Sequence, residues 1–292
     1  MNVVMRTLLC WLLLPAAAAY AQAHAAAPLV IGETFTIESK TLAETRRINV
    51  YLPPAYIASA VTRLPVLYMP DGGMAEDFLH VAGLVQVSVG NATMRPFILV
   101  GIENTERSRD LTGPTQVAED RRIAPRVGGS AAFRTFIRSD VMPAITSRYR
   151  TTAETAIIGE SLAGLFVVET LLLEPSLFDT YIAIDPSLWW NNNELVTSAA
   201  KRWGSVRGPR TKTVYLAGSS DDREHLTRQL AGLLEKSAGA TLKVHSQPMP
   251  GETHATIYHP AALAAIRLLF KPSTSTRDEV EPGAAAARKQ AR

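Results

Sequence analysis

Hydrophobic and polar positions along this chain follow two periods. Thr34–Ser39 alternates with Phe35 and Ile37 on one face, and Arg47–Leu52 alternates again before Pro53-Pro54 ends the run. Pro65–Met69 and Pro96–Ile102 are short apolar runs, the signature of strands buried on both faces, and Thr155–Ile158, Thr180–Ile184, Thr213–Ala217 and Leu242–Ser246 are further short strands. Between them Phe78–Val87, Ala131–Tyr149, Leu165–Leu173, Asp222–Lys236 and Pro260–Phe270 keep helical spacing. In Ala131–Tyr149 the apolar positions are Phe133, Phe136, Ile137, Val141, Ile145 and Tyr149. Buried strands alternating with helices predict an α/β fold, a mostly parallel central sheet with helices on both faces, formed by residues 28–271 as one domain. No internal repeat interrupts it.

The two ends depart from this pattern. Arg6 precedes an apolar stretch from Leu8 to Leu14, followed by Pro15, a run of Ala and Ala19-Tyr20-Ala21. This order predicts a secretory signal peptide over 1–23, cleaved after Ala21 or Ala23, and a periplasmic or secreted protein. The stretch is too short for a comfortable membrane span, so no stable membrane insertion is expected after cleavage. From Pro272 the chain is Ser, Thr, Ala, Arg and Lys without an apolar face, which predicts a disordered tail over 272–292. Cys10 is the single cysteine and lies inside the leader. A mature chain without thiols excludes a disulfide, a cysteine nucleophile and a thiolate metal site, and no histidine pair has ligand spacing; neither metal nor cofactor is expected. The 292 residues are 47% hydrophobic and 20% charged, with a net charge of +3 from signs mixed along the chain. That describes a globular domain with a large core and no nucleic-acid footprint.

The chemistry enters at Gly159-Glu160-Ser161-Leu162-Ala163-Gly164, where a buried strand turns at once into an apolar helix. A nucleophile elbow needs small residues two positions either side of the nucleophile because strand and helix backbones pack closely there; Gly159 and Ala163 supply them. Such a turn lifts the Ser161 hydroxyl off the sheet and aims the first helical N–H groups at the same point. A serine needs a base, and histidine has a suitable pKa. His254, in Pro250-Gly251-Glu252-Thr253-His254-Ala255-Thr256 after the last strand, is placed for it ahead of His259, which precedes Pro260 at the entry to a helix. The loop after the preceding strand offers the acid, Asp221 first and Asp222 second; at least one of the two is expected to cap the following helix. Backbone donors for an oxyanion are expected from Leu162 and from Gly73 in the turn Pro70-Asp71-Gly72-Gly73, with Asp71 bracing that turn.

Six segments together resemble one family: VLYMPDGG, FILVGIENTERSRDLT, FIRSDVMPAITSRYRTT, GESLAGLF, DPSLWW and GETHAT. In this order they are similar to the putative-esterase (esterase D-like) branch of the α/β hydrolases, nearest the exported trilactone siderophore-esterase-like group. The resemblance implies an α/β-hydrolase fold and a serine carboxylester hydrolase working through an acyl-enzyme on a small-molecule ester. It matches Ser161 to the nucleophile, His254 to the base, and Leu162 and Gly73 to the oxyanion residues. An acyltransferase and a non-catalytic binding protein on the same fold are the alternatives. Two positions depart from the family pattern. Glu160 stands where Gly-His-Ser has histidine, and Asp185 opens a segment that often reads Ser-Pro-Ser. Relatives that work with a Ser–His pair leave the acid open. Glu103, Asn104, Arg107 and Arg109 follow a central strand and are candidate substrate contacts, with Arg109–Asp110 as a structural pair the other reading. Trp189 and Trp190 either wall the pocket or fill the core. Arg121, Arg122 and Arg126 lie in the irregular stretch from Glu103 to Ser130, where they suit either an anionic substrate such as a catecholate or plain solvent.

Overall fold

A computed structural model describes residues 26–206 and 210–272 of the chain. The leader over 1–23 lies outside the described residues, as does nearly all of the tail over 272–292. Residues 26–31 carry no helix or strand, and the compact unit begins at Gly32.

Eight strands form one sheet in the order β1-β2-β4-β3-β5-β6-β7-β8. They are β1 Glu33–Ser39, β2 Glu44–Tyr51, β3 Leu64–Pro70, β4 Ile98–Ile102, β5 Thr151–Glu160, β6 Thr180–Ile184, β7 Lys212–Gly218 and β8 Leu242–Pro248. β2 pairs antiparallel with β1 and β4, and every pair from β4 to β8 is parallel. The division follows from the residues. β1 alternates exposed and partly buried positions, as an edge strand with one wet face does, whereas β3, β4 and β6 are buried at every position. The six strands β3 to β8 form the parallel region, with β8 (LKVHSQP) its more exposed edge, and their C-terminal ends share one edge.

The helices are α1 Pro54–Ile57, α2 Phe78–Gly90, α3 Arg107–Leu111, α4 Ser130–Phe136, α5 Met142–Arg148, α6 Leu162–Leu173, α7 Trp190–Val206, α8 Leu226–Ala238 and α9 Tyr258–Leu269. Where helical spacing predicts one helix over 131–149, a π-helical turn at Ile137–Val141 separates α4 from α5. Pro143 lies in the first turn of α5 and has no N–H to give, so the ladder is re-spaced ahead of it. α6 has no polar face because it has no wet one: Leu162 through Leu172 are all buried, between β5 and β6 on one side and α3 and α7 on the other. α7 was not legible in the pattern of residues. It opens with Asn191, Asn192 and Asn193 at φ of 50°, 53° and 61°, a left-handed turn that asparagine tolerates better than most residues.

Buried ion pairs cross this apolar interior, Arg134–Glu169 and a second that reaches the sheet. Arg46 of β2 and Asp110 of α3 are both fully buried and pair at 2.6 Å, with the guanidinium 5.2 Å from the centre of the Phe133 ring. Arg109 joins from the other side, bonded to Asp110 and to Glu44. The pair anchors the short α3 to the antiparallel end of the sheet. Asp110→Ala leaves the Arg46 charge buried without its main partner and should destabilise the protein by about 3–5 kcal/mol, read as a lowered urea midpoint. A loss of well under 1 kcal/mol would mean that Glu44 alone satisfies Arg46.

Candidate active site

The parallel strands deliver their C-terminal ends to one edge, and Asp71, Glu103, Ser161, Asp185 and Ser219 directly follow β3, β4, β5, β6 and β7. β5 ends in Glu160, and Ser161 follows at φ 59°, ψ −122°, a conformation that costs energy for any residue with a side chain. Its backbone is fixed on both sides: the Ser161 N–H donates to the Ile184 carbonyl, and the Ser161 carbonyl accepts from Leu165 and Ser187. The turn is as tight as an elbow demands. A Cβ on Gly159 would lie 2.7 Å from the Ala163 carbonyl, and one on Gly164 would meet the Ile184 carbonyl oxygen at 3.0 Å. Ala163 is accommodated, fully buried, at the position where such motifs usually carry glycine.

His254 reaches this serine. Its Nε2 lies 3.1 Å from Ser161 Oγ, and its Nδ1 lies 2.6 Å from Asp185 Oδ2. Asp185 follows β6 directly, at φ 41°, and its carboxylate is held by the Ser219 N–H and the Ser219 hydroxyl, each at 2.8 Å. Burial alone would raise Asp185, but the hydrogen bonds from His254 and Ser219 outweigh it and its carboxyl titrates below the usual value. The bond to Asp185 raises His254 above an ordinary imidazole; burial opposes this, and the charges of Glu160, Asp185 and Asp221 add to it.

The structure thus corrects the expected acid. The Asp221 carboxylate accepts the His254 main-chain N–H at 2.9 Å, and Asp222 accepts the Thr227 N–H at the start of α8. Asp221 braces the histidine loop, and Asp222 accepts an N–H in the first turn of α8 although His225 is the residue that precedes the helix. Neither aspartate bonds the imidazole, which faces Asp185 after β6; the Ser220 N–H and hydroxyl both donate to the Glu252 carbonyl and tie the two loops together. The signal for Asp185 was present in the sequence: an acidic residue at the mouth of a fully apolar strand, Thr180–Ile184, the place Ser161 holds on β5. His259 lies elsewhere, with Nδ1 3.1 Å from His80 Nε2 at the start of α9.

The donors expected for an oxyanion stand differently. Leu162 is the first residue of α6, so its N–H is among those a helix leaves without an internal partner. The Gly73 N–H donates to Glu76 Oε2 at 2.7 Å. Glu76 also accepts the Asn104 side-chain amide at 3.0 Å, and Arg107 makes two bonds, at 2.9 and 2.8 Å, to Asp71. Asp71, Glu76, Asn104 and Arg107 therefore form one network that braces the turn after β3.

Most of the expected substrate contacts belong to such networks. Glu103 pairs with Arg47, and Arg109 with Asp110 and Glu44. Arg122 pairs with Glu119, Arg126 pairs with Glu106, and Arg121 bonds the Thr115 carbonyl. The arginines that suited an anionic ligand have local partners. Trp189 alone of the expected contacts lines the cleft at the serine, a space of about 250 Å³ bounded also by Ser187, Leu188, Leu226, Asp185 and His254. Trp190 is buried and donates its indole N–H to the Gly113 carbonyl at 2.9 Å. Among the described residues no helix is long and apolar enough to cross a membrane.

Strand order, elbow and parallel edge define the α/β-hydrolase fold. The family described as "Putative esterase" matches residues 39–256, and the chain belongs to it. Ferri-bacillibactin esterase BesA of Bacillus subtilis (strain 168) is 31% identical over 168 residues, which is 51% of this chain and 56% of that protein. The siderophore enterobactin esterase of Emericella nidulans is 33% identical over 128 residues, 41% of each chain. An IroE-like serine hydrolase from Shewanella oneidensis has a superposable structure, with a TM-score of 0.73 and 28% identity over 82% of this chain and 80% of that one. The chain spans about half the length of the curated relatives it matches.

Proposed function

We propose that this protein is an exported serine hydrolase that cleaves small carboxylic esters, of siderophore type or simpler, through an acyl-enzyme. The observation that carries the reading is the line Ser161 Oγ–His254–Asp185, with separations of 3.1 and 2.6 Å, opening on a cleft. His254 Nε2 takes the Ser161 proton as Oγ attacks the ester carbonyl, and Asp185 holds the ring in the Nδ1–H tautomer and stabilises the imidazolium. The oxyanion forms over the N-terminus of α6, where the Leu162 N–H and the helix dipole lower its energy. His254 returns the proton to the departing alcohol, and water repeats the cycle on the acyl group. Names of relatives support the ester class, and the leader expected over 1–23 supports export.

Covalent labelling tests this. A fluorophosphonate should add to Ser161, located by peptide mass, and p-nitrophenyl butyrate turnover should fall in proportion; an unlabelled serine in the folded protein would end the proposal. The adduct also tests the second donor. In its crystal structure a phosphoryl oxygen should accept the Leu162 N–H, with Glu76 displaced from Gly73 and kept by Asn104 alone. If Glu76 still holds the Gly73 N–H, Gly73 is not part of the hole.

A further inference from the structure

Glu160 stands immediately before the nucleophile, and its side chain is 15% exposed. Its Oε1 lies 3.3 Å from His254 Nε2, the same nitrogen that lies 3.1 Å from Ser161 Oγ. The imidazolium proton on Nε2 therefore has two acceptors, and a carboxylate is the stronger acceptor for a charged donor. The groups around Glu160 do not neutralise it. Arg107 of α3 is the nearby cation, and it makes two bonds to Asp71 beyond β3. Asp185 after β6 and Asp77 before α2 add negative charge, as does Asp221 at His254. Desolvation and the charges of Asp77, Asp71 and Glu160 push the phenol of Tyr258 on α9 well above its usual value, so it stays protonated.

We propose that Glu160 is a positioning residue that shares the Nε2 proton with His254, so that the site works only when this carboxyl–imidazole pair has given up both of its protons. The inference rests on the hydrolase reading above and deepens it. Three states of the pair follow. With two protons, the carboxyl is neutral and the imidazole is charged. With one, the proton lies between Oε1 and Nε2, and the base is occupied whichever atom holds it. With none, Nε2 is free to accept from Ser161 while Glu160 carries its charge beside the ring. Burial pushes the Glu160 carboxyl up to about 7, countered by His254 and Arg107, and the bond to Asp185 raises His254, so the two protons belong to the pair: sharing one proton makes the first easier to lose and the second harder, and the limb steepens once the pH is below both losses. In a serine hydrolase without such a neighbour, one proton on the histidine ends activity. Here the acid limb is governed by two.

The signature is the steepness of the kcat/KM profile below neutrality. In the wild type its logarithmic slope should approach two; in Glu160→Gln, which keeps the shape and removes the charge, it should stay at one. Ionised Glu160 raises His254, so its removal lowers the imidazole pKa and moves the limb to lower pH by about half a unit to one unit. Normalised to its own plateau, E160Q should then retain roughly three to ten times more of its activity than wild type on that limb. Glu160→Asp keeps the charge and should keep the steep limb, which a packing role would not. Titration of the His254 ring protons by NMR reads the same shift without turnover. If E160Q and wild type give superimposable limbs and His254 titrates alike in both, the proposal is wrong although the hydrolase stands. If the wild type turns over no ester, the hydrolase reading fails, and the NMR titration alone decides whether Glu160 holds the proton.

Discussion

Ser161→Ala should lower kcat for a p-nitrophenyl ester by about 10⁵- to 10⁶-fold while the protein stays folded. The size follows from what the substitution removes. The remaining machinery, the Leu162 N–H and the α6 terminus, still polarises a bound carbonyl, so a residue of catalysis over water persists, but no acyl-enzyme forms and His254 has no proton to accept. Folding should survive because the elbow is held by backbone bonds to Ile184, Leu165 and Ser187, none of which uses the hydroxyl. Among the described residues, Ser161 Oγ has beyond His254 only Ser187 Oγ, at 3.5 Å. Ser161→Gly separates chemistry from strain. It should be equally inactive yet melt higher than Ser161→Ala, since glycine adopts φ 59°, ψ −122° without the penalty a Cβ brings. An alanine variant within tenfold of wild type would place the nucleophile elsewhere.

How much of this was legible in the residues depended on whether the deciding interaction was local. Ser161 was readable because an elbow is a local object: a buried strand, two small residues and an apolar helix lie within the single stretch Thr155–Leu173, and the tight approach of Gly159 to Ala163 is set by that short stretch. His254 was readable from chain order alone. Asp185 carried a local mark, an acidic residue at the end of a buried strand, but order along the chain points to the loop after β7, and only the folded loops show which carboxylate the ring faces. The same holds for the substrate contacts. Glu103, Asn104, Arg107 and Arg109 do lie at the sheet edge where a site forms, but their partners come from β2, from the turn after β3 and from α3, which no local pattern reveals. Buried charge was also invisible. Arg46 reads as a strand residue on a wet face until Asp110, sixty-four positions away, is placed against it.

The second large effect decides between the two aspartates. Asp185→Asn should lower kcat/KM by about 10⁴-fold, the order seen when a serine–histidine pair loses its acid. An amide at Oδ2 offers Nδ1 no charge. When its nitrogen faces the ring, it favours the tautomer with the proton on Nε2, which leaves His254 unable to accept from Ser161. The Ser219 N–H and hydroxyl, which now bond a carboxylate, then compete for one remaining oxygen. Asp221→Asn has a smaller consequence: the His254 main-chain N–H can still be accepted by the amide oxygen, at an exposed position where one such bond is worth about 1 kcal/mol, and the loss should stay under about tenfold. The acid limbs should differ too. Loss of Asp185 removes the largest cause of the raised His254 titration, so what activity remains should persist to lower pH, with the plateau collapsed; Glu160→Gln should shift the limb with its plateau far better preserved. Steady-state profiles of the three variants on one substrate separate these cases. If Asp221→Asn loses more than Asp185→Asn, the ring turns toward β7 during turnover, and the carboxylate that stabilises the imidazolium is not the one that holds it at rest.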